Sequence, residues 1–163
     1  DCELEFLDLF NTSMGDSGAA FLGEFMRKEA TGRRLRYLNV SWNKISFDGI
    51  AALSAGLENH PSLEVLRAYY NHGIGRKGAM GISDFIKQSD VIASIDLRWT
   101  NIGDDGASTI CDALSTNKSI REVLMSGNDL DARTDLLLSE KMKKRTPVTP
   151  EGIVPIQRQE EVW

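Results

Sequence analysis

The chain is short of the residues that most often announce a chemistry. Its 163 residues include two cysteines, two histidines and four prolines. Cys2 and Cys111 are too few for a disulfide framework and lie far apart in the sequence. They read as two reduced thiols of an intracellular protein. His60 and His72 stand alone, without the ligand cluster a metal site needs. No apolar run approaches the roughly 20 residues of a membrane-spanning helix. No strong excess of one charge is present either, since 19 basic residues face 24 acidic ones. A net charge of −5 argues against nucleic acid or a polybasic membrane surface as the main partner. There is no initiator methionine and no signal peptide, so a fragment of a longer protein is expected, truncated at its N-terminus.

What the chain has is repetition. One apolar pattern starts at Leu4, Leu35, Leu63, Ile92 and Ile120, at spacings of 31, 28, 29 and 28 residues. The second copy continues through Leu38, Val40, Asn43, Ile45, Gly49, Leu53 and Leu57. The fourth continues through Ile95, Leu97, Thr100, Ile102, Gly106, Ile110 and Leu114. The third slips by one residue before Gly78, and the fifth loses the glycine after Leu130. A fixed period of this size means stacked units, none of which buries its apolar side alone.

Each unit changes period midway. Alternation of apolar and polar residues predicts a short strand, and apolar residues four apart predict one face of a helix. Asn or Thr lies between, with a side chain suited to holding a turn. Gly18, Gly49, Gly78 and Gly106 are expected to begin the helices, where close packing or unusual backbone angles exclude a Cβ. Asp16, Asp48, Asp104 and Asp105 suit the positive helix ends. Strand, turn and helix in tandem give parallel strands on one side and helices on the other. Because helices are wider than strands, the stack curves with its strands inside.

Segments such as LRYLNVSWNKISFDGIAALSAGL and IDLRWTNIGDDGASTICDAL resemble leucine-rich repeats of the ribonuclease-inhibitor class, over roughly residues 3 to 140. The resemblance implies an α/β solenoid: a right-handed horseshoe of about five repeats, with strands concave and helices convex. Residues 1–145 form the repeat domain, closed by a helix at about 133–144 in which Leu136, Leu137 and Leu138 partly cover the stack. Residues 146–163 form an extended tail, since Pro147, Pro150 and Pro155 exclude a helix.

Residues between the leucines of each strand face the concave side. At the strand exits Trp42, Tyr70 and Trp99 recur in register and are expected to stack into a ridge, with Arg67 and Arg98 beside it. Aromatics and arginine are the residue types enriched in binding hot spots. The candidate partner-binding set is Tyr37, Trp42, Arg67, Tyr69, Tyr70, Asp96, Arg98 and Trp99, with Trp163 from the tail.

Other motifs dissolve into the repeat. Gly73, Gly75 and Gly78 match G-x-G-x-x-G, and Asp96 lies 18 residues beyond Gly78. Gly78 is already demanded by the repeat, however, and Tyr69 to His72 spoil the tight turn that a dinucleotide site needs. Sequons at Asn11, Asn39 and Asn117 read as chance, and Lys141 to Arg145 as a solvated helix end. No nucleophile–base arrangement and no isolated carboxylate pair is legible.

The resemblance therefore implies a non-enzymatic scaffold or adaptor, without cofactor, holding its concave face to another protein inside a larger polypeptide or assembly. The last two repeats are similar to those of centrosomal and ciliary leucine-rich-repeat proteins, which implies a cytoplasmic and cytoskeletal or ciliary setting. The tropomodulin repeat domain is similar in size and also ends in a helix, which implies actin-filament capping. The Ran GTPase-activating protein and ribonuclease inhibitor use such repeats to regulate an enzyme.

Overall fold

The computed structural model describes residues 4–28, 34–143 and 145. Five strands alternate with five helices: β1 Phe6–Asp8, α1 Gly15–Lys28, β2 Tyr37–Asn39, α2 Phe47–Leu57, β3 Val65–Arg67, α3 Gly75–Gln88, β4 Ser94–Asp96, α4 Gly103–Thr116, β5 Glu122–Leu124 and α5 Ala132–Lys143. The strands pair in sequence order, all parallel, in one five-stranded sheet. The register joins Leu7, Leu38, Leu66, Ile95 and Val123 in one row. Each helix packs on the next, α1 on α2 through α4 on α5. This is the α/β solenoid that the period predicts.

The core lies between strands and helices. Leu35, Leu38, Val40, Ile45, Ile50, Leu53 and Leu57 of the second unit are all fully buried. The repeated glycines sit within the first helical turn, three residues past Gly15, Ser46, Gly75 and Gly103. Close packing, rather than unusual backbone angles, explains them. A Cβ on Gly49 would lie 2.3 Å from Asp16 Oδ1, and one on Gly78 2.8 Å from Ile50 Cγ2.

The turns are tied across units by asparagine. Asn43 accepts from the Thr12 and Met14 amides at 2.9 and 3.1 Å, and its own amide donates to Leu9 O and Val40 O. Asn71 repeats this toward Asn43 and Ile45, and Asn128 toward Thr100 and Ile102. Thr100 is shorter and has no amide. Its hydroxyl bonds to Leu97 O within its own unit and to Asn128. The third unit faces it with the extra residue of the His72–Gly73 turn, where Asn101 donates to His72 O at 3.1 Å.

The last helix differs from expectation in its contacts. Leu138 is buried, but Leu136 and Leu137 are 55% and 36% exposed. Polar groups do much of the fastening. Arg145 donates to Leu114 O and to Asn117 O at 2.9 Å, at the end of α4, and to Ile120 O at 2.6 Å just before β5. Burial lowers its pKa, and the carbonyls hold it there. Lys141 donates to Ser115 Oγ at 2.6 Å.

Candidate functional site

Every strand leaves the sheet through a left-handed residue. Asn11, Trp42, Tyr70, Trp99 and Gly127 occupy one position of the five units, with φ of 53°, 59°, 55°, 57° and 76°. Gly and Asn are the residues that adopt this conformation readily. For a bulky side chain the same angles cost about 1 kcal/mol. The first and last units therefore carry the inexpensive residues, and the three middle units carry aromatics.

Those three aromatics stack. Tyr70 lies 4.5 Å from Trp42 and 5.6 Å from Trp99 between ring centroids, at interplanar angles of 31° and 20°. His72 meets Tyr70 edge-on at 5.6 Å. The far face of Trp99 covers Gly127, and Phe10 approaches both Trp42 and Tyr69 at 6.3 and 6.2 Å. Trp42 and Trp99 remain 38% and 46% exposed.

The strand positions beside the ridge carry charge on a buried base. Asp96 is 1% exposed. Its carboxylate accepts from Arg98 Nε at 2.9 Å and Arg98 Nη2 at 2.6 Å, and Arg67 Nη1 lies 3.6 Å away. The two guanidiniums make the burial of this carboxylate tolerable, and it fixes them in return. Arg98 lies 5.3 Å over the Tyr69 ring and Arg67 5.9 Å over the Tyr37 ring. Tyr37 is 5% exposed beneath Phe6, whose ring stacks on it at 4.2 Å and 6°. Burial pushes the Tyr37 phenol up to about 12, with the Arg67 charge acting the other way.

Of the residues singled out from sequence, Trp42, Tyr69, Tyr70, Arg67, Arg98 and Trp99 thus lie together on one surface. Tyr37 and Asp96 lie just below it, Tyr37 under Phe6 and Asp96 under the two arginines. Trp163 lies outside the described residues. Phe6 and Phe10, 37% and 39% exposed, extend the aromatic surface toward the first unit. Both fall at concave positions of the repeat, which is the signal that finds them.

The remaining motifs have structural roles. Gly73 pairs with Ser46 in an isolated bridge, where a Cβ would come 3.0 Å from Ser46 Cα. Asn117 is buried, accepting from the Ser119 and Ile120 amides and donating to Ile86 O and Ser89 O. Ser89 accepts from the Val91 and Ile92 amides, and His60 Nδ1 from the Ser62 and Leu63 amides. His60, Ser89 and Asn117 are thus one position of the repeat, closing the turn after each helix. Cys111 is a buried free thiol, its pKa raised by burial. No helix among the described residues is long and apolar enough to cross a membrane.

Comparison with known proteins agrees with this architecture. A family model described as "Leucine Rich repeat" matches residues 33–54 and 92–111. The chain is similar to Protein CARMIL of Dictyostelium discoideum, 25% identical over 135 residues, which is 81% of this chain. It spans 12% of the length of that protein. Among solved structures it resembles "Leiomodin-1 Actin-Binding Site 2", with a TM-score of 0.64 and 16% identity over 80% of this chain and 73% of that one. It also resembles the tropomodulin C-terminal domain of Caenorhabditis elegans, with a TM-score of 0.50 and 14% identity over 77% of this chain and 92% of that one. The chain is built of leucine-rich repeats stacked in an α/β solenoid.

Proposed function

We propose that this chain is a non-enzymatic scaffold whose strand face binds another protein, with Trp42, Tyr70 and Trp99 at the centre of the contact. One observation carries the reading. The chain itself shows that Asn and Gly suit the strand-exit position, yet three successive units place large rings there against backbone preference. Backbone strain of this kind gathers where binding is done. The rings stand beside two arginines held by a buried carboxylate, so the surface is rigid before a partner arrives. Rigid aromatic and arginine anchors lose little freedom on binding.

The setting we infer is cytoskeletal and cytoplasmic. It rests on likeness to CARMIL and to repeat domains of leiomodin and tropomodulin. A second reading, direct binding of actin, is favoured by the leiomodin segment, which is by its title an actin-binding site. The triple variant Trp42→Asn, Tyr70→Asn, Trp99→Asn tests the main reading. Asn11 shows that asparagine suits the position, so the fold is expected to persist while the rings are lost. Partners enriched on the immobilised wild-type chain are expected to fall at least tenfold on a folded variant. Equal retention of every partner would sink the proposal. Co-sedimentation with filamentous actin separates the two readings, because only direct binding carries the isolated chain into the pellet.

A further inference from the structure

The strand face beside the aromatic ridge carries an uneven charge. At its centre two guanidiniums, Arg67 and Arg98, share one carboxylate, that of Asp96. Arg98 holds it with two hydrogen bonds, from Nε and Nη2. Arg67 does not. Its Nη1 lies 3.6 Å from Asp96, an ion pair beyond hydrogen-bond length. Its Nε is buried and has no hydrogen-bond partner among the described residues. The Arg67 guanidinium lies over the Tyr37 ring, which holds it against the face. Arg36 and Glu64, at the starts of β2 and β3, answer each other at 2.7 Å.

A positioned guanidinium with hydrogen bonds still to make suits a carboxylate, which accepts two N–H groups in one plane. The surroundings restrict where that carboxylate goes. Asp8 on β1 and Glu122 on β5 are both exposed. An anion is therefore attracted at the middle strands and repelled at the outer ones. A phosphate would bring a second negative charge among Asp8, Asp96 and Glu122, while Arg98 already answers Asp96. The single charge of a carboxylate matches the one guanidinium that remains.

We infer that the ridge takes an acidic peptide segment of its partner, with an Asp or Glu carboxylate on Arg67 and an apolar side chain on the rings. This rests on the reading that the ridge is the binding surface. The spacing follows from the strand. Tyr69 and Tyr70 lie two and three residues beyond Arg67, about 7–10 Å along an extended chain. An extended segment lying along β3 meets both features when its acid and its large apolar residue are two or three positions apart. The half-exposed Trp42 and Trp99 flank Tyr70 and widen the apolar seat.

The test selects random twelve-residue peptides displayed on phage against the immobilised full chain, against Arg67→Gln, and against the triple Asn variant of the ridge. The wild-type chain is expected to enrich peptides with Asp or Glu two or three positions from Trp, Phe or Leu. Arg67→Gln should keep the apolar preference and lose the acidic one, and the triple variant should lose both. The strongest peptide is then synthesised with its acid and with the matching amide. The amide form should bind the wild-type chain at least tenfold more weakly in fluorescence polarisation. That comparison leaves the chain unaltered, so it decides the matter even if Arg67→Gln fails to fold. Ring-dependent peptides that carry neutral or basic residues instead of acids overturn this inference and leave the ridge standing. A phosphoserine form that binds tenfold tighter than the acid form overturns it too, in favour of a phosphopeptide. Peptides held equally well without the rings, or none enriched over the bare support, remove the ridge itself and this inference with it.

Discussion

The indole of Trp99 fills the space a side chain at Gly127 would need: a Cβ built there would lie 2.4 Å from Trp99 Cδ2. Residue 127 also has φ of +76°. Gly127→Ala therefore meets both a strained backbone and a ring in its way. The expected loss is about 1–3 kcal/mol, with a shift in Trp99 fluorescence. In the double variant with Trp99→Asn the collision is gone, so the two losses should sum to more than the double costs. Strict additivity in urea unfolding would mean that the ring does not rest on Gly127.

Asn43 ties three segments together, accepting from two amides of the first unit and donating to Leu9 O, Val40 O and Ser41 O. Asn43→Ala leaves the Thr12 and Met14 amides without this acceptor and removes one donor each from Leu9 O, Val40 O and Ser41 O, in a mostly buried turn. A cost of about 3 kcal/mol or more is expected. Calorimetry should show it to exceed the cost of an exposed change such as Lys44→Ala severalfold.

His60 serves as an acceptor at a position where other units use Ser89 and Asn117. His60→Asn should therefore stay within about 0.5 kcal/mol of wild type. His60→Leu, with no acceptor for the Leu63 amide, should cost about 1–3 kcal/mol. Equal losses for the two variants in denaturant titrations would remove the assigned role.

Tyr37 supplies an alkaline signature. Its phenol titrates near 12 when folded because of burial, against about 10 in an unfolded chain. The unfolded state ionises first, so stability from this group is complete below pH 10 and is lost as pH rises toward 12. Tyr37→Phe should flatten that fall while changing stability at pH 7 little. Urea midpoints at pH 7, 10 and 11.5 measure the difference, and parallel declines in the two proteins would contradict it.

Much of this was legible in the sequence because a repeat prints its register on itself. Leu38, Leu66 and Ile95 share a row in the sheet as they share a place in the pattern. The alignment of Trp42, Tyr70 and Trp99 follows from the same register. The backbone state of these residues was not legible, because aromatics do not announce a positive φ and only Asn11 and Gly127 hint at it. Nor was the burial of Tyr37, which depends on the orientation of Phe6 one strand away. Leu136 and Leu137 misled for a related reason. Three leucines in a row cannot all face one side of a helix, and only Leu138 turns inward.

The substitution of Thr100 for asparagine has a mechanical side. Side-chain amides rivet the first unit to the second, the second to the third and the fourth to the fifth. Between the third and fourth, the rivet gives way to the exposed contact of Asn101 with His72 O. That joint is held instead by charge and rings: Arg67 reaches Asp96, Arg76 reaches Asp105, and Tyr70 stacks on Trp99 across it. The aromatic ridge thus doubles as the fastening of the one joint that has lost its amide.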